Sequence, residues 1–362
     1  MLRTESGIKM DLRIYRTAVI GLGRIAWSRH LPELLRQSDK FVLTGIVDPI
    51  ASRCEETQEK FGPVKSFRSV EELLRNDPPD LAVVCSPTLY HREQTVALLE
   101  HGVHVFCDKP AAMNPEETAA MFDAAKRNNR RLMIFQPRRV QPETETGKKI
   151  IESGKLGKIY QFISYASSYV RRSDWQAQLK NGGGMLLNYG AHFVDAAMYM
   201  LGEKLIPEYC RTRRAATLGD AEDVVKAELR GEHSGILCDI DISQASLYQP
   251  CSMIIRGSCG SAWYSLAEHA WNLRYFDPAM FPERELSQQM AAEQRLYNLD
   301  RLEPIHEAIP IPQIDRFGVY YDNYYDWLEG KATPLVSWKE TMALMETLAQ
   351  CRKLAEKDNY AD

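Results

Sequence analysis

The first residues whose types and spacing could do chemistry are two glycines and an acid. GLGRIA places Gly21 and Gly23 directly after an apolar run, and Asp48 ends the next such run. Glycine at 21 permits a tight turn, glycine at 23 lets a pyrophosphate approach the backbone, and Ala26 is small enough for close helix packing. An acid about 20 residues further on accepts hydrogen bonds from ribose hydroxyls. The pattern predicts a dinucleotide site, and a simple tight turn is the alternative.

Asp48 also bears on which dinucleotide binds. A carboxylate there repels the 2′-phosphate of NADP, so NAD is favoured. Arg53 lies five residues further on, and it either offsets that repulsion or is a solvated surface residue. We therefore expect NAD, with NADP possible, and we expect Arg24 and Ile25 to complete the cofactor-binding loop.

The elements that must position this loop alternate from residue 13 to about 135. Nearly continuous apolar runs bounded by turn residues are typical of buried parallel strands, and there are five: RTAVIGLG, FVLTGIVD, DLAVVCSP, VHVFCDKP and RLMIFQP. Amphipathic stretches between them predict helices. Asn114 before Pro115 marks a helix start, and Gly102 marks a helix end. The alternation predicts a doubly wound parallel α/β domain over residues 14–136.

Beyond residue 157 the pattern changes to longer, alternating runs separated by short turns, which are typical of an open antiparallel sheet. One helical stretch, GAHFVDAAMYMLG, interrupts these runs, and two more close the chain. We expect an α+β domain over residues 137–340 and a C-terminal helix over 341–362.

Composition narrows the classes of partner. The chain has 362 residues, 45 basic and 49 acidic, and it lacks a basic tract or a long apolar run, so we expect neither nucleic-acid nor membrane binding. The eight cysteines are scattered without metal-site spacing. They indicate buried free thiols in a reducing cytoplasm and no metal site. The polar N-terminal stretch MLRTESGIKMDLR predicts neither a signal peptide nor an anchor, and Met10 is a plausible alternative start.

Four further stretches occur in order after the glycine loop: CSPTLYH, CDKP, RVQP and GGGMLLNYGAH. With the loop, they resemble the Gfo/Idh/MocA family over about residues 14–355. The resemblance implies a Rossmann domain followed by an open sheet domain, here residues 137–340, that serves substrate binding and oligomerisation. The face of this sheet is often buried in a homodimer or homotetramer. It also implies oxidation of a sugar, inositol or related carbinol, or reduction of the ketone, with NAD or NADP.

The resemblance assigns a catalytic role to Lys109. Asp108-Lys109-Pro110 matches the family's Glu-Lys-Pro motif, with a shorter acid before the lysine. In the family this lysine lies beside the nicotinamide and the substrate hydroxyl. A lysine at this place stabilises a developing alkoxide or polarises a ketone.

The second catalytic motif is Asn188-Tyr189-Gly190-Ala191-His192, which matches the family's Asp-x-Gly-x-His. His192 takes the catalytic place, and an imidazole suits removal of a hydroxyl proton because its ordinary pKa lies near neutral pH. Asn188 stands where an aspartate is common. An amide cannot accept a proton, although it can hydrogen-bond the substrate or the imidazole.

Several supporting residues follow from the same motifs. Ser86 and Pro87 would line the nicotinamide side, and His91 fits either that site or a structural place at a helix start. Arg139 would reach a polar substrate or form a salt bridge. Asp195 would share the helix face of His192. The tyrosines of YYDNYYDW would form core, with sugar stacking as the alternative, and Trp175 would stack on the substrate.

Two other functions use the same fold. One is a catalytically silent dinucleotide-binding regulator, which Asn188 favours and Lys109 with His192 disfavours. The other is a glycosidase that uses NAD transiently. The leading expectation is an oxidoreductase that moves a hydride between nicotinamide and a sugar-like or inositol-like substrate.

Overall fold

The chain divides into two compact units. The computed structural model describes residues 13–249, 251–286, 288 and 302–357. Unit 1 contains the chain up to Gln136 and also Phe317–Met345, and unit 2 contains Pro137–Arg316 and the chain from Glu346 on. The polar N-terminal stretch, including the alternative start at Met10, lies outside the described residues.

Unit 1 is built on a six-stranded parallel sheet with the order β3-β2-β1-β4-β5-β6. This is the Rossmann order, in which ligands bind where the strand order reverses, between β1 and β4. The strands are β1 (Tyr15–Ile20), β2 (Phe41–Val47), β3 (Lys65–Phe67), β4 (Leu81–Val84), β5 (His104–Cys107) and β6 (Leu132–Ile134). The predicted parallel sheet is confirmed. Only the short β3 was missed, because three residues carry too little apolar pattern.

Helices connect these strands as the amphipathic stretches predict. They are α1 (Leu31–Arg36), α2 (Ala51–Phe61), α3 (Val70–Asn76), α4 (His91–Glu100) and α5 (Pro115–Arg127). The Asn114 side chain accepts a hydrogen bond from Glu117 N at 2.8 Å, which caps α5. Gly102 has a φ of +79° just after α4, where a left-handed residue ends the helix.

Helix α9 (Gly318–Leu328) corrects the expected domain boundary. The expectation assigned residues 317–340 to the second domain, whereas they belong to unit 1. Four tyrosines of α9 are at most 2% exposed, namely Tyr320, Tyr321, Tyr324 and Tyr325. Tyr324 stacks on Phe106 of β5 with ring centroids 5.2 Å apart, and its hydroxyl donates to Val105 O at 2.7 Å. These aromatic contacts with the Rossmann sheet bring the chain back to unit 1, which a local pattern cannot show.

Unit 2 contains an eight-stranded sheet with the order β14-β13-β12-β11-β7-β10-β9-β8, in which only β7 and β10 pair in parallel. The strands are β7 (Ile159–Ser167), β8 (Leu205–Arg213), β9 (Val224–Gly231), β10 (Leu237–Ser243), β11 (Met253–Gly257), β12 (Gly260–Ser265), β13 (Ala270–Tyr275) and β14 (Ile305–Pro310). The mostly antiparallel sheet is thus confirmed.

The two faces of this sheet differ in polarity. Along β10, Cys238, Ile240 and Ile242 are each 1% exposed, and the residues between them are polar and more accessible. Asp239 on the polar face accepts a hydrogen bond from Gln161 at 2.6 Å. Helices α6 (Pro142–Glu152), α7 (Met185–Asn188) and α8 (Gly190–Leu201) also belong to unit 2. The predicted oligomerisation through this sheet stays a prediction.

The last helix, α10 (Trp338–Lys357), begins three residues before the predicted position. Ser337 starts it, because its hydroxyl accepts a hydrogen bond from Glu340 N at 3.3 Å. Across the described ranges, no helix has the length and apolar character needed to cross a bilayer.

Candidate active site

The glycine loop follows β1, and its two glycines serve different purposes. Gly21 has a φ of +85°, and a Cβ there would lie 2.6 Å from Ser86 N, so the fold itself requires glycine. At Gly23 no described heavy atom lies within 4 Å of where a Cβ would stand. The fold therefore does not need glycine at 23, whereas a pyrophosphate that approaches the backbone does. This open space beside Gly23 fits a dinucleotide-binding loop, whereas a simple tight turn would not need glycine there.

The residues after Gly23 begin the first helical segment. Arg24 is exposed and Ile25 is partly buried, whereas Ala26 is fully buried, as close strand–helix packing requires. The segment Ala26–His30 winds as a π-helix before α1 begins. Helical backbone at this place points N–H groups toward an anion bound at the loop.

Asp48 stands directly after β2 and braces the glycine loop. Its carboxylate accepts hydrogen bonds from Leu22 N at 2.9 Å and Ile50 N at 3.0 Å, and the residue is 3% exposed. Arg53 Nη1 lies 3.5 Å from Asp48 Oδ2. The sequence reasoning missed this brace, and the Arg53 contact places a positive charge beside the acid. The ribose contact itself stays a prediction.

His91 joins the loops that follow β4 and β5. The ring is 1% exposed, with Nε2 2.8 Å from Ser86 O and Nδ1 2.9 Å from Pro110 O. Each ring nitrogen therefore faces a main-chain carbonyl. This geometry makes His91 a positioning residue for the loop containing Ser86 and Pro87, and it agrees with the structural alternative.

Lys109 is partly exposed and follows β5 at the same sheet edge as the glycine loop. Its backbone N–H donates to Asp108 Oδ1 at 2.8 Å. Burial raises the pKa of Asp108, while the positive charge of Lys109 acts to lower it. The shortened acid of the Asp-Lys-Pro motif thus holds the backbone of the lysine that follows it.

In unit 2, Asn188 and His192 lie one helical turn apart. Asn188 ends α7, and Tyr189 continues the helical backbone into α8 with φ −86° and ψ −36°. His192 N donates to Tyr189 O at 2.9 Å. Because residues four apart share a helix face, the two side chains lie on one side. Asn188 is 9% exposed and His192 is partly exposed.

The triple glycine before α7 has a structural cause. Gly184 has a φ of +100°, and a Cβ there would lie 2.5 Å from a carboxylate oxygen of Glu222. That carboxylate accepts a hydrogen bond from Leu186 N at 3.1 Å and pairs with Arg352 at 3.1 Å. An acid at a helix N-terminus stabilises the helix. Gly184 therefore makes room for Glu222 at the start of α7, and a Cβ at Gly183 would clash with Gln176 O.

Arg139 forms a salt bridge, which is one of the two roles that the sequence predicts for it. Arg139 Nε donates to Asp195 Oδ2 at 2.9 Å and Nη2 to Oδ1 at 2.6 Å. The two side chains are 3% and 2% exposed. A bidentate pair of this kind fixes the orientation of α8 three residues after His192. The predicted contact of Arg139 with a substrate conflicts with this burial.

Arg138, the neighbouring residue, was missed. Its guanidinium lies 4.0 Å from the centroid of the Phe193 ring on α8, and burial lowers its pKa. The signal was present in the sequence as the paired arginines of PRRVQP. Only the structure separates the salt-bridged arginine from the stacked one.

The remaining predicted residues differ in outcome. Trp175 is partly exposed and begins a short 3-10 helix, so substrate stacking stays a prediction. The buried tyrosines of α9 form core, and the sugar-stacking alternative for them is wrong. Among the described residues, no three histidine, cysteine or acidic side chains are grouped to hold a metal ion.

Each unit thus assembles one set of predicted residues. Unit 1 places the glycine loop, Ser86 and Lys109 after β1, β4 and β5, at the carboxyl edge where α/β sheets bind ligands. Unit 2 places Asn188 and His192 on one helix face. The first set can hold a dinucleotide and the second can exchange a proton with a hydroxyl.

Comparison with known proteins defines the class. Residues 15–136 match the model of an oxidoreductase family with an NAD-binding Rossmann fold, and residues 144–263 match the GFO/IDH/MocA C-terminal domain. The chain belongs to the Gfo/Idh/MocA family of oxidoreductases, and its Rossmann domain is of the NAD-binding type. The resemblance drawn from the ordered motifs is confirmed.

Named relatives include dehydrogenases of sugars and inositols. The chain is 33% identical over 190 residues to D-glucoside 3-dehydrogenase of Escherichia coli, covering 52% of this chain and 54% of that protein. It is 30% identical over 190 residues to myo-inositol 2-dehydrogenase of Thermotoga maritima, covering 52% and 56%. The chain thus spans about half the length of these curated relatives. An NAD-binding protein from Listeria innocua has the same fold, with a TM-score of 0.80, 21% identity and 95% of each chain covered.

Proposed function

We propose that this protein is an NAD(P)-dependent dehydrogenase that oxidises a carbinol carbon of a sugar, inositol or sugar-derived substrate, or reduces the corresponding ketone. The observation that carries the proposal is the open space beside Gly23. The fold does not require glycine at this position, whereas a pyrophosphate that approaches the backbone does. Lys109 follows β5 at the same carboxyl edge of the sheet. The named relatives support the substrate class.

In the proposed reaction, His192 takes the proton of the substrate hydroxyl at an imidazole nitrogen. Lys109 donates a hydrogen bond to the oxygen as it becomes an alkoxide, and its positive charge stabilises that oxygen. A nicotinamide dinucleotide held by the glycine loop would supply the hydride acceptor for oxidation, or the hydride donor for reduction. Asn188 holds the substrate or the imidazole by a hydrogen bond and takes no proton.

For the cofactor we propose NAD, with NADP accepted more weakly. The Asp48 carboxylate repels a 2′-phosphate, and the Arg53 guanidinium at 3.5 Å reduces that repulsion. Dissociation constants for NADH and NADPH test this proposal. NADPH bound more tightly than NADH would contradict it.

The function is tested with Lys109→Ala and His192→Ala. Each should lower kcat on a turned-over polyol or sugar by about 10²–10⁴-fold, the usual range for lost proton-transfer or alkoxide-stabilising groups, and should retain NADH affinity. Lys126→Ala and His233→Ala are matched controls, because both residues are exposed. Unchanged turnover in both active-site variants would remove the proposed mechanism.

The same assay separates the alternatives. A panel of cyclitols and sugars with NAD is followed by absorbance of the reduced cofactor. Tight NADH binding without turnover of any compound would favour the silent regulator. Cleavage of a glycoside without net reduced cofactor would favour the NAD-dependent glycosidase.

A further inference from the structure

Arg138 presents a guanidinium that the described chain leaves without a hydrogen-bonding partner. The residue lies in the short helical turn Pro137–Val140 and is partly buried. Among the described residues, none accepts a hydrogen bond from it or forms an ion pair with it, and its close contact is the Phe193 ring at 4.0 Å. An arginine carries five N–H donors in a planar fork, so the edge of this fork is available to a ligand.

The residues around the Arg138 guanidinium contact it but do not balance its positive charge with an ion pair, as far as the described residues show. Burial lowers the pKa of Arg138, and the nearby Glu143 and Tyr189 act in the opposite direction. Glu143 lies too far away for an ion pair. The cation–π contact with Phe193 favours the guanidinium at this place. A partly buried cation without an acid partner is stabilised by a ligand that carries negative charge.

The fork is anchored beside the residues assigned to catalysis. Tyr189 and Phe193 stack with ring centroids 6.0 Å apart, and in the chain they directly follow Asn188 and His192. Phe193 lies in the first turn of α8, directly after His192 in the chain, so the Arg138 guanidinium packs against the same end of α8 that carries His192. Asn188 adds no negative charge there, although the family pattern commonly has an aspartate at this position.

We propose that Arg138 binds an oxyanion on the substrate, so that the site takes acidic sugars in preference to neutral polyols. The guanidinium fork matches the two oxygens of a carboxylate or of a phosphate. This inference rests on the proposed function, since it names the substrate class of the same site.

The test compares kcat/KM for glucose, glucuronate and glucose 6-phosphate, and for galactose and galacturonate, in wild type, Arg138→Gln and Arg138→Lys. We expect an acidic member to exceed its neutral partner at least tenfold in wild type. Arg138→Gln should reduce that ratio at least tenfold. Arg138→Lys should fall between them, because it keeps the charge and loses the fork. Preference for the sugar acids or for the sugar phosphate identifies the oxyanion.

Arg274→Gln is the matched control, because Arg274 lies 5.6 Å from the Trp263 ring on the sheet of unit 2 and should leave the ratio unchanged. Calorimetric binding of glucuronate and glucose 6-phosphate in the presence of NADH gives a readout that does not need turnover. Binding that Arg138→Gln weakens tenfold, without turnover, would support the inference and remove the proposed function. A preference for neutral sugars, an unchanged ratio in Arg138→Gln, or no binding of any acid would overturn the inference.

Discussion

The two units bury polar side chains by opposite means. In unit 1, His30 is fully buried among aromatic rings, its Nδ1 lies 2.8 Å from the Tyr321 hydroxyl, and burial lowers its pKa to about 3. In unit 2, Arg139 and Asp195 are buried as a charged pair with two hydrogen bonds. A neutral group is sensitive to acid, whereas a charged pair is sensitive to loss of either partner. The comparison shows that burial alone does not decide whether a polar group is charged.

The largest effect should come from breaking the charged pair. Asp195→Ala leaves the Arg139 guanidinium buried without its carboxylate, and we expect the unfolding free energy to fall by about 3–5 kcal/mol. Urea denaturation measures this change. The double variant Arg139→Met with Asp195→Leu should recover part of it, because no charge remains buried. Equal stability of wild type and Asp195→Ala would contradict the assignment.

Unit 1 should lose less stability when the buried ring of His91 is removed. His91→Phe removes both contacts to the carbonyls of Ser86 and Pro110, and we expect a loss of about 2 kcal/mol from the buried carbonyls left unpaired. His101→Phe is the matched control, because that ring is exposed and its Nδ1 lies 2.8 Å from Ala97 O of its own helix. Denaturation curves of the two variants should differ, and equal curves would show that His91 is not a structural clamp.

Acid should also lower the unfolding free energy of unit 1 through His30, by less for each pH unit than the loss expected for His91→Phe. His30 has a folded pKa of about 3, below the ordinary value of 6.5, so the unfolded chain takes up a proton that the folded chain does not. Its stabilising contribution is present above pH 6.5. It is lost as pH falls toward 3, by at most about 1.4 kcal/mol per pH unit.

His30→Phe should flatten this dependence between pH 6 and 4. Tyr321→Phe should keep it, because His30 stays buried. His104 adds a slope of the same sign, since burial lowers its pKa to about 4. The difference between wild type and His30→Phe therefore isolates His30, and an identical pH dependence in both proteins would remove the assignment.

The smallest effect concerns the thiols and leaves the fold intact. Cys259 of unit 2 is partly buried, while the other seven cysteines are buried. The expectation of buried free thiols is thus confirmed for seven positions. A thiol-specific chromogenic reagent should titrate one fast cysteine in the native protein and none in Cys259→Ser. Any fast thiol in that variant would contradict the burial of the other seven cysteines.

Sequence reasoning was strongest where the signal is local. The apolar runs before Gly21 and Asp48, the Asn114 cap and the helix of Gly190–Leu201 depend on neighbouring residues, and the structure confirms them. The resemblance supplied Lys109 and His192, whose catalytic roles stay predictions. The tyrosines of α9 were predicted as core but assigned to the wrong domain, because their partners in β5 lie more than 200 residues away in the chain.

The sequence by itself determined the alternation of strands and helices, the glycine loop and the family, since each depends on residue types in order along the chain. Only the tertiary structure decided that Ser86 requires glycine at 21, whereas no such contact requires it at 23. It also decided that, among the described residues, Arg139 has an ion-pair partner and the adjacent Arg138 has none. The physical reason is that hydrogen bonding and burial depend on residues that are distant in sequence, and adjacent side chains with identical chemistry point to different neighbours.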